Sequence, residues 1–206
     1  MKKYIDVFQS GSTFHVYNRV VGNEKLFFKE KNYTYFLEKL NDKASAYIDI
    51  MAYCLLRNHY HLLIKVKDTA KPKEVSEAFR KFGISYSQAI NKQEGRKGSL
   101  FMKPVKRKRI DSKEYFITVL VYIHTNPYLH GIENNYQTYK WSSFRFYRDA
   151  IAPSDGISDK PSDSIPVTLF KTKEIIQNYF DDKENFIFVH EQKRGFGGIS
   201  DLIIED

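Results

Sequence analysis

The chain of 206 residues has one cysteine, and it contains no long apolar segment. Because a lone cysteine, Cys54, cannot form an internal disulfide, nothing in the sequence indicates an oxidising compartment. No run of residues approaches the ~18 consecutive apolar positions of a membrane-spanning helix. The first twelve residues also lack the apolar stretch of a secretory signal peptide. We therefore expect a cytoplasmic protein with no membrane partner.

Acidic residues are also few relative to basic ones. The chain has 25 Asp and Glu against 33 Lys and Arg, which gives a net charge of +8 at pH 7. A surplus of this size favours a polyanionic partner, nucleic acid or a membrane surface, over a protein that is merely basic and soluble. The hydrophobic content of 42%, with 16% aromatic residues, is enough for the core of one good-sized domain.

The predicted elements follow the order strand, helix, strand, strand, helix, strand. Alternating β-prone residues predict strands over residues 13–21, 47–57, 59–67 and 100–110. Apolar residues at spacings of three and four predict amphipathic helices over residues 30–46 and 73–92. This order predicts an α+β protein with a ferredoxin-like βαββαβ antiparallel sheet and two helices on one face. Pro104 indicates that the last strand lies at an edge.

A third helix, largely apolar, is predicted over residues 111–126. Asp111 and Glu114 form a start resembling a capping box, and Asn126-Pro127 supplies a stop signal. Its polar members lie three or four residues apart and form one stripe: Tyr115, Thr118, Tyr122, Thr125 and Asn126. A polar stripe on a buried helix is costly unless it meets partners or lines a site. We expect this helix to be an addition that reaches the sheet.

Two histidines, His59 and His61, flank one residue within the strand predicted over 59–67. Side chains alternate along a strand, so both imidazoles point to one face, with Cα atoms about 6.6 Å apart. Two imidazoles at this spacing can bind one metal ion, although two histidines are too few to define a site. The pattern alone is equally compatible with two polar residues on the solvent-facing side of a half-buried strand.

Tyr122 and Asn126 lie one helical turn apart and therefore share a face. A tyrosine can act as a covalent nucleophile when a nearby cation or base helps remove its proton. An amide oxygen can serve as a ligand to a hard cation such as Mg²⁺. For an arbitrary Tyr-x-x-x-Asn, the simpler interpretation is a buried aromatic residue followed by a helix cap.

Seven basic residues and no acidic residue lie between positions 96 and 109. They are Arg96, Lys97, Lys103, Lys106, Arg107, Lys108 and Arg109. In a protein that is already basic, such a run favours contacts with a phosphate backbone over a merely solvated surface. Arg19 and Lys65 could extend this surface.

Together these segments resemble one family, the single-tyrosine transposases of the HUH superfamily, in particular the REP-associated tyrosine transposases and their insertion-sequence relatives. The histidine-hydrophobe-histidine element is His59-Tyr60-His61, preceded by an N-terminal segment FHVYNRV. The segment YIHTNPYLHGI is similar to the family's catalytic helix, with Tyr122 at the nucleophile position and Asn126 at the third-ligand position. The motif Trp141-Ser142-Ser143-Phe144 follows in the expected order.

The resemblance covers roughly residues 12–148 and implies a reaction. It implies that His59, His61 and Asn126 bind Mg²⁺ or Mn²⁺ while Tyr122 attacks a phosphodiester, giving a 5′-phosphotyrosine and a free 3′-hydroxyl. The implied substrate is single-stranded DNA beside a hairpin, and the implied assembly is a monomer or homodimer. Residues 1–150 would form the catalytic domain, and residues 151–206 a linker and a C-terminal helical extension.

Two other functions compete with this interpretation. The same fold could serve a domesticated nucleic-acid-binding protein that no longer cleaves, although all nucleophile and ligand positions are filled. A metallohydrolase acting on a small molecule would require more carboxylate ligands near the histidines than the sequence offers. One departure from the family is Tyr60, which is bulkier than the usual residue between the two histidines.

Overall fold

A computed structural model describes residues 5–149 and 172–193 of the chain. Its centre is a four-stranded antiparallel sheet in the order β2-β3-β1-β4. The strands are β1 (Thr13–Arg19), β2 (Ile48–Leu56), β3 (His59–Val66) and β4 (Lys106–Ile110). This topology confirms the predicted α+β class and the ferredoxin-like order of elements.

One face of the sheet is covered by two amphipathic helices, α1 (Glu30–Ala44) and α2 (Pro72–Glu94). The core between them is rich in aromatic residues. The ring of Phe36 lies 4.9 Å from that of Tyr60 and 4.8 Å from that of Phe82, measured between centroids. Tyr60 therefore points into the core, which accommodates its bulk between the two histidines.

The opposite face of the sheet is covered by a third helix, α3 (Lys113–Leu129). It starts and ends differently from the prediction. Ser112 rather than Asp111 is the N-cap, because its hydroxyl accepts a hydrogen bond from the Tyr115 amide. The helix also continues past Asn126 and includes Pro127, which lies in the last turn and has no N–H to donate.

The last predicted strand is shorter than expected. Residues 100–105 lie outside β4. In this segment Phe101 makes an isolated bridge to Val20, and Pro104 has no amide N–H to donate to a neighbouring strand. Strand β4 pairs on one side with β1 and is an edge strand, as predicted. The first strand is also shorter than predicted and ends at Arg19.

Shorter elements complete the α3 side of the sheet. They are a 3-10 helix (Tyr136–Thr138), α4 (Phe144–Asp149), α5 (Thr172–Phe180) and α6 (Lys183–Lys193). Their apolar side chains share one core with α3 and the outer face of the sheet. The predicted linker at 152–166 lies outside the described residues, and the division at residue 150 stays a prediction. In the described part of the chain, no helix combines the length and the apolar character needed to cross a membrane.

Candidate active site

The two predicted histidines begin β3 and share a face with alternate residues of β1. In the antiparallel register, His61 lies opposite Tyr17 and His59 lies opposite Arg19. His61 is 1% exposed because α3 packs over this face. The face is therefore not a solvent-facing surface, and a buried imidazole there needs polar partners.

His61 has such a partner in His15, a residue that was not singled out from the sequence. The Nε2 atom of His15 lies 3.0 Å from the Nδ1 atom of His61, and both rings are buried. Burial lowers the pKa of His15 to about 3, and burial with the neighbouring histidines lowers the pKa of His61 well below its usual range. Both rings are thus neutral near pH 7. The signal for His15 lies in the strand alternation, since His15 and Tyr17 must share a face.

His59 is half-buried, and its orientation is fixed by a local contact. Its Nδ1 donates to the side-chain oxygen of Asn58 at 2.7 Å, which leaves the lone pair on Nε2. Burial, followed by the charge of His130, lowers the pKa of His59 to about 4, an effect that the side chain of Asn126 partly offsets. The third predicted ligand therefore lies beside the first.

Tyr122 comes from α3 and lies directly over the histidines. Its ring centroid is 5.2 Å from that of His61 and 6.1 Å from that of His15, edge-on in both cases. Tyr122, His59, His61 and Arg19 line one cavity of about 90 Å³. This volume is far below the ~300 Å³ at the lower end of ligand pockets, so the cavity suits an ion and a phosphate-sized group.

Several buried polar atoms at this site have no hydrogen-bond partner among residues 5–149 and 172–193. They are Nε2 of His61, Nδ1 of His15 and both polar side-chain atoms of Asn126. Asn126 is 0% exposed. Its amide lies beside His59 but makes no well-formed hydrogen bond to it. Unpaired buried polar atoms are rare in folded proteins and call for an explanation such as a bound ion.

The donor set at this site fits a small hard cation only if the amide takes part. Within the described ranges, no group of three or more His, Cys, Asp or Glu side chains is arranged to hold a metal ion. The neutral rings of His59 and His61 are nevertheless in the protonation state that metal binding requires. An amide oxygen such as that of Asn126 would complete such a donor set.

A larger groove opens from the small cavity. Its volume is about 830 Å³, and Asn58, His59 and His130 line both spaces. Arg57, Arg96 and Lys25 contribute positive charge to its wall. Negative charge comes from Glu94 and from Glu24, which forms an ion pair with Arg96. An extended polyanion could pass along this groove to the histidines.

The predicted basic run divides between the two faces of the sheet. Lys106 lies opposite Tyr17 and Lys108 opposite His15, so both share the histidine face. Arg107 and Arg109 lie opposite Val16 and Phe14 on the other face. There the guanidinium of Arg107 stacks over Phe8 at 4.7 Å and donates to the backbone oxygen of Asp6, while Arg109 donates to the side chain of Gln9.

The other predicted DNA contacts are scattered. Arg19 lines the small cavity and Arg96 the groove, close to the histidines. Lys65 shares the histidine face, but it lies six residues along β3 from His59, about 20 Å away. Lys97 is exposed, and Lys103 lies at a separate cleft beside α2.

The polar stripe of α3 is only partly used by the site. The hydroxyls of Thr118 and Thr125 donate to backbone oxygens one turn earlier, Glu114 and Val121, so their polarity is satisfied within the helix. Tyr122 and Asn126 are the two members that the structure brings to the histidines.

Comparisons with known proteins give a match among solved structures. No family model matches the chain, and no curated protein does. Among solved structures, the chain is similar to a REP-associated tyrosine transposase bound to a REP hairpin, at 16% identity and a TM-score of 0.62. The match covers 82% of this chain and 99% of that one. This likeness shows that the chain has the same fold.

Proposed function

We propose that this chain cleaves single-stranded DNA beside a hairpin and transfers the strand through a 5′-phosphotyrosine on Tyr122. His59, His61 and Asn126 would hold Mg²⁺ or Mn²⁺. The observation that carries the proposal is the unpaired buried Nε2 of His61, 1% exposed, beneath the ring of Tyr122. The hairpin-bound solved structure of the same fold supports the choice of substrate.

The protein side chains have separate tasks in this reaction. Binding through Nε2 of His61 requires the ring proton on Nδ1, and Nε2 of His15 is placed to accept it. In the same way, the Asn58 oxygen holds the proton of His59 on Nδ1. When bound, the cation would withdraw charge from the scissile phosphate.

The bond changes of the proposed step balance. The Tyr122 oxygen forms a bond to phosphorus, the bond from phosphorus to O3′ breaks, one proton leaves the phenol, and one is taken up by O3′. Attack of another 3′-hydroxyl on the phosphotyrosine reverses the step and joins the strands. Tyr122, His59 and His61 of one chain line one cavity, which supports a site that is completed within a single chain.

The substrate would reach the site along the open groove. Arg57 and Arg96 line it, and Lys106 and Lys108 lie on the same face as the histidines. Phosphate contacts of this kind give affinity without sequence preference. Transposition or repeat mobilisation, and the cytoplasmic location, stay predictions from the sequence.

The test is formation of a covalent adduct. The protein is incubated with Mg²⁺ or Mn²⁺ and an end-labelled pool of single-stranded oligonucleotides that carry a hairpin with randomised flanks, and adducts are resolved on a denaturing gel. We expect an adduct with the wild type and with Tyr128→Phe, a control on an exposed part of α3. We expect none with Tyr122→Phe, His59→Ala or His61→Ala.

Two outcomes would contradict the proposal. An adduct that survives Tyr122→Phe would show that another residue is the nucleophile. Binding of the hairpin pool with no adduct in either metal would favour the alternative, a non-cleaving nucleic-acid-binding protein.

A further inference from the structure

A second buried histidine pair lies behind α3, away from the candidate active site. His124 of α3 and His190 of α6 are both 0% exposed, and Nδ1 of His124 lies 3.0 Å from Nε2 of His190. The proposed reaction makes no use of either ring. His190 belongs to the C-terminal part of the chain, to which the sequence resemblance assigned no role.

The hydrogen bonds of this pair have a defined direction. Nδ1 of His190 lies 2.7 Å from the backbone oxygen of Phe186, and a carbonyl can only accept, so His190 carries its proton there. Because burial keeps both rings neutral, Nε2 of His190 accepts from Nδ1–H of His124. Both histidines are therefore Nδ1–H tautomers.

The same chain of hydrogen bonds continues to the sheet. Nε2 of His124 lies 3.0 Å from the hydroxyl of Ser143, which must then donate to it. The Ser143 oxygen accepts from the backbone amide of Tyr53 in β2 at 2.9 Å, and the Ser143 amide donates to the Tyr53 oxygen at 2.9 Å. We call this series, from Phe186 through His190, His124 and Ser143 to Tyr53, the histidine relay.

The relay holds α3 at a residue midway between two site residues. Successive helical residues are turned by about 100°, so positions two apart point about 200° from each other. His124 is two residues from Tyr122 and two from Asn126, and it therefore lies on the opposite side of the helix from both. A rotation of α3 about its axis would break the relay and displace Tyr122 and Asn126 together.

This segment of α3 also lacks one of its backbone hydrogen bonds. Pro127 cannot donate to the oxygen of Ile123, so one helical hydrogen bond is missing beside Asn126. The Asn126 side chain has no hydrogen-bond partner within the described residues. Support from outside the helix is therefore needed to keep these side chains in place.

We propose that His190 is a positioning residue, which acts through His124 to fix the rotation of α3 and hence the placement of Tyr122 and Asn126 against His59 and His61. The proposal rests on the function proposed above. It assigns to the C-terminal helix α6 a part in catalysis, although no residue of α6 is placed in the active site.

The experiment compares two substitutions at one position. His190→Gln keeps an acceptor near the position of Nε2, whereas His190→Leu removes it. Phe188→Leu, at a side chain of α6 that is 58% exposed, is the matched control. Each protein is assayed for the single-turnover rate of adduct formation at saturating DNA, for the Kd of the DNA hairpin pool, and for Mn²⁺ affinity by calorimetry.

We expect His190→Leu to slow adduct formation by about 10- to 100-fold, the effect of a misplaced reacting group, with the DNA Kd changed less than about twofold. Mn²⁺ affinity should fall as well, because Asn126 moves with the helix. His190→Gln should recover most of the rate, and Phe188→Leu should match the wild type. A folded His190→Leu protein with the wild-type rate and Mn²⁺ affinity would overturn the proposal, as would equal losses in the Leu and Gln variants.

A second measurement needs neither a variant nor cleavage. Long-range ¹H–¹⁵N spectra of the ¹⁵N-labelled wild type should show His124 and His190 as Nδ1–H tautomers, and the less common tautomer is easily recognised. An Nε2–H tautomer at either residue would overturn the relay. If the wild type forms no adduct, the proposed function fails. The tautomers of the wild type and the Mn²⁺ affinities of the His190 variants then still decide whether the relay positions α3.

Discussion

His15 and His61 come from neighbouring strands, 46 positions apart in the chain, and their facing ring nitrogens lie 3.0 Å apart. Through this contact Nδ1 of His61 is hydrogen-bonded, whereas Nε2 of the same ring has no partner in the part of the chain that the structure describes. Second-layer partners of this kind orient a metal-binding imidazole and fix its tautomer. In the metal site proposed above, His15 would hold the His61 ring in the orientation and tautomer that a ligand needs.

Replacing His15 by Leu should lower the affinity for Mn²⁺ by about 10- to 100-fold, the usual effect of losing such a partner. The Nδ1 of His61 would lose its acceptor, and the ring could then carry its proton on Nε2. Titration calorimetry of the metal-binding reaction gives the affinity. Thr13→Val, on the same face of β1, is the control, and equal affinities in the His15→Leu and control proteins would contradict the assignment.

Asn126→Leu should stabilise the metal-free protein while removing its metal affinity. The Asn126 amide is fully buried without a hydrogen bond among the described residues, and burying an unpaired polar group costs about 1–3 kcal/mol. Leucine has a similar volume and no polar atom. We expect the free energy of unfolding in chelator to rise by about 1 kcal/mol, measured by urea denaturation.

The neighbouring residue provides the control for this change. Thr125 is equally buried, but its hydroxyl donates to the backbone oxygen of Val121 at 2.9 Å. Thr125→Val therefore removes a satisfied group and should not stabilise the protein. A loss of stability in Asn126→Leu similar to that in Thr125→Val would mean that the amide is satisfied in solution.

The division of the basic run predicts unequal contributions to DNA binding. The Lys106→Ala, Lys108→Ala double variant should reduce the slope of log Kd against log salt by up to about two, one for each phosphate that the variant no longer neutralises. The measurement is anisotropy of a labelled DNA hairpin at several salt concentrations. Lys81→Ala, on the exposed side of α2 beside Glu77, should leave the slope unchanged. Equal slopes for the double variant and the wild type would exclude the histidine face as the phosphate-binding surface.

Stability should fall as the solution is acidified below pH 6.5, because buried neutral histidines must be protonated. Burial lowers the pKa of His190 to about 3, from an ordinary value near 6.5. Because this pKa is lowered, the contribution of neutral His190 to the free energy of unfolding is complete above pH 6.5. It is lost as the pH falls towards 3. At pH 5, one such ring lowers the free energy of unfolding by about 2 kcal/mol relative to neutral pH.

The measurement is urea denaturation at pH 7.5 and pH 5, compared between the wild type and His190→Gln. Because glutamine does not titrate, the free energy of unfolding of the variant should fall by about 2 kcal/mol less than that of the wild type between pH 7.5 and pH 5. His15 has a similarly lowered pKa, so a pH dependence should remain in the variant. Identical losses in the two proteins would mean that His190 is not buried in its neutral form.

The sequence predicted the fold well where local periodicity is strong. The alternation in residues 59–67 and the spacing of three and four in α2 depend on neighbours along the chain, and both elements form as expected. The ends of elements were predicted less well. Ser112 rather than Asp111 caps α3, and α3 extends beyond Pro127, because packing on both sides of a helix can outweigh a local stop signal.

By itself, the sequence determined which residues could share a face: His59 with His61 along a strand, and Tyr122 with Asn126 along a helix. Only the tertiary structure decided that these two faces meet and that α3 buries the histidines. It also paired His15 with His61 and His124 with His190 and divided the basic run between two faces. The physical reason is that a face is set by backbone geometry over a few residues, whereas a contact between distant residues depends on strand register and helix packing, which the whole chain determines together.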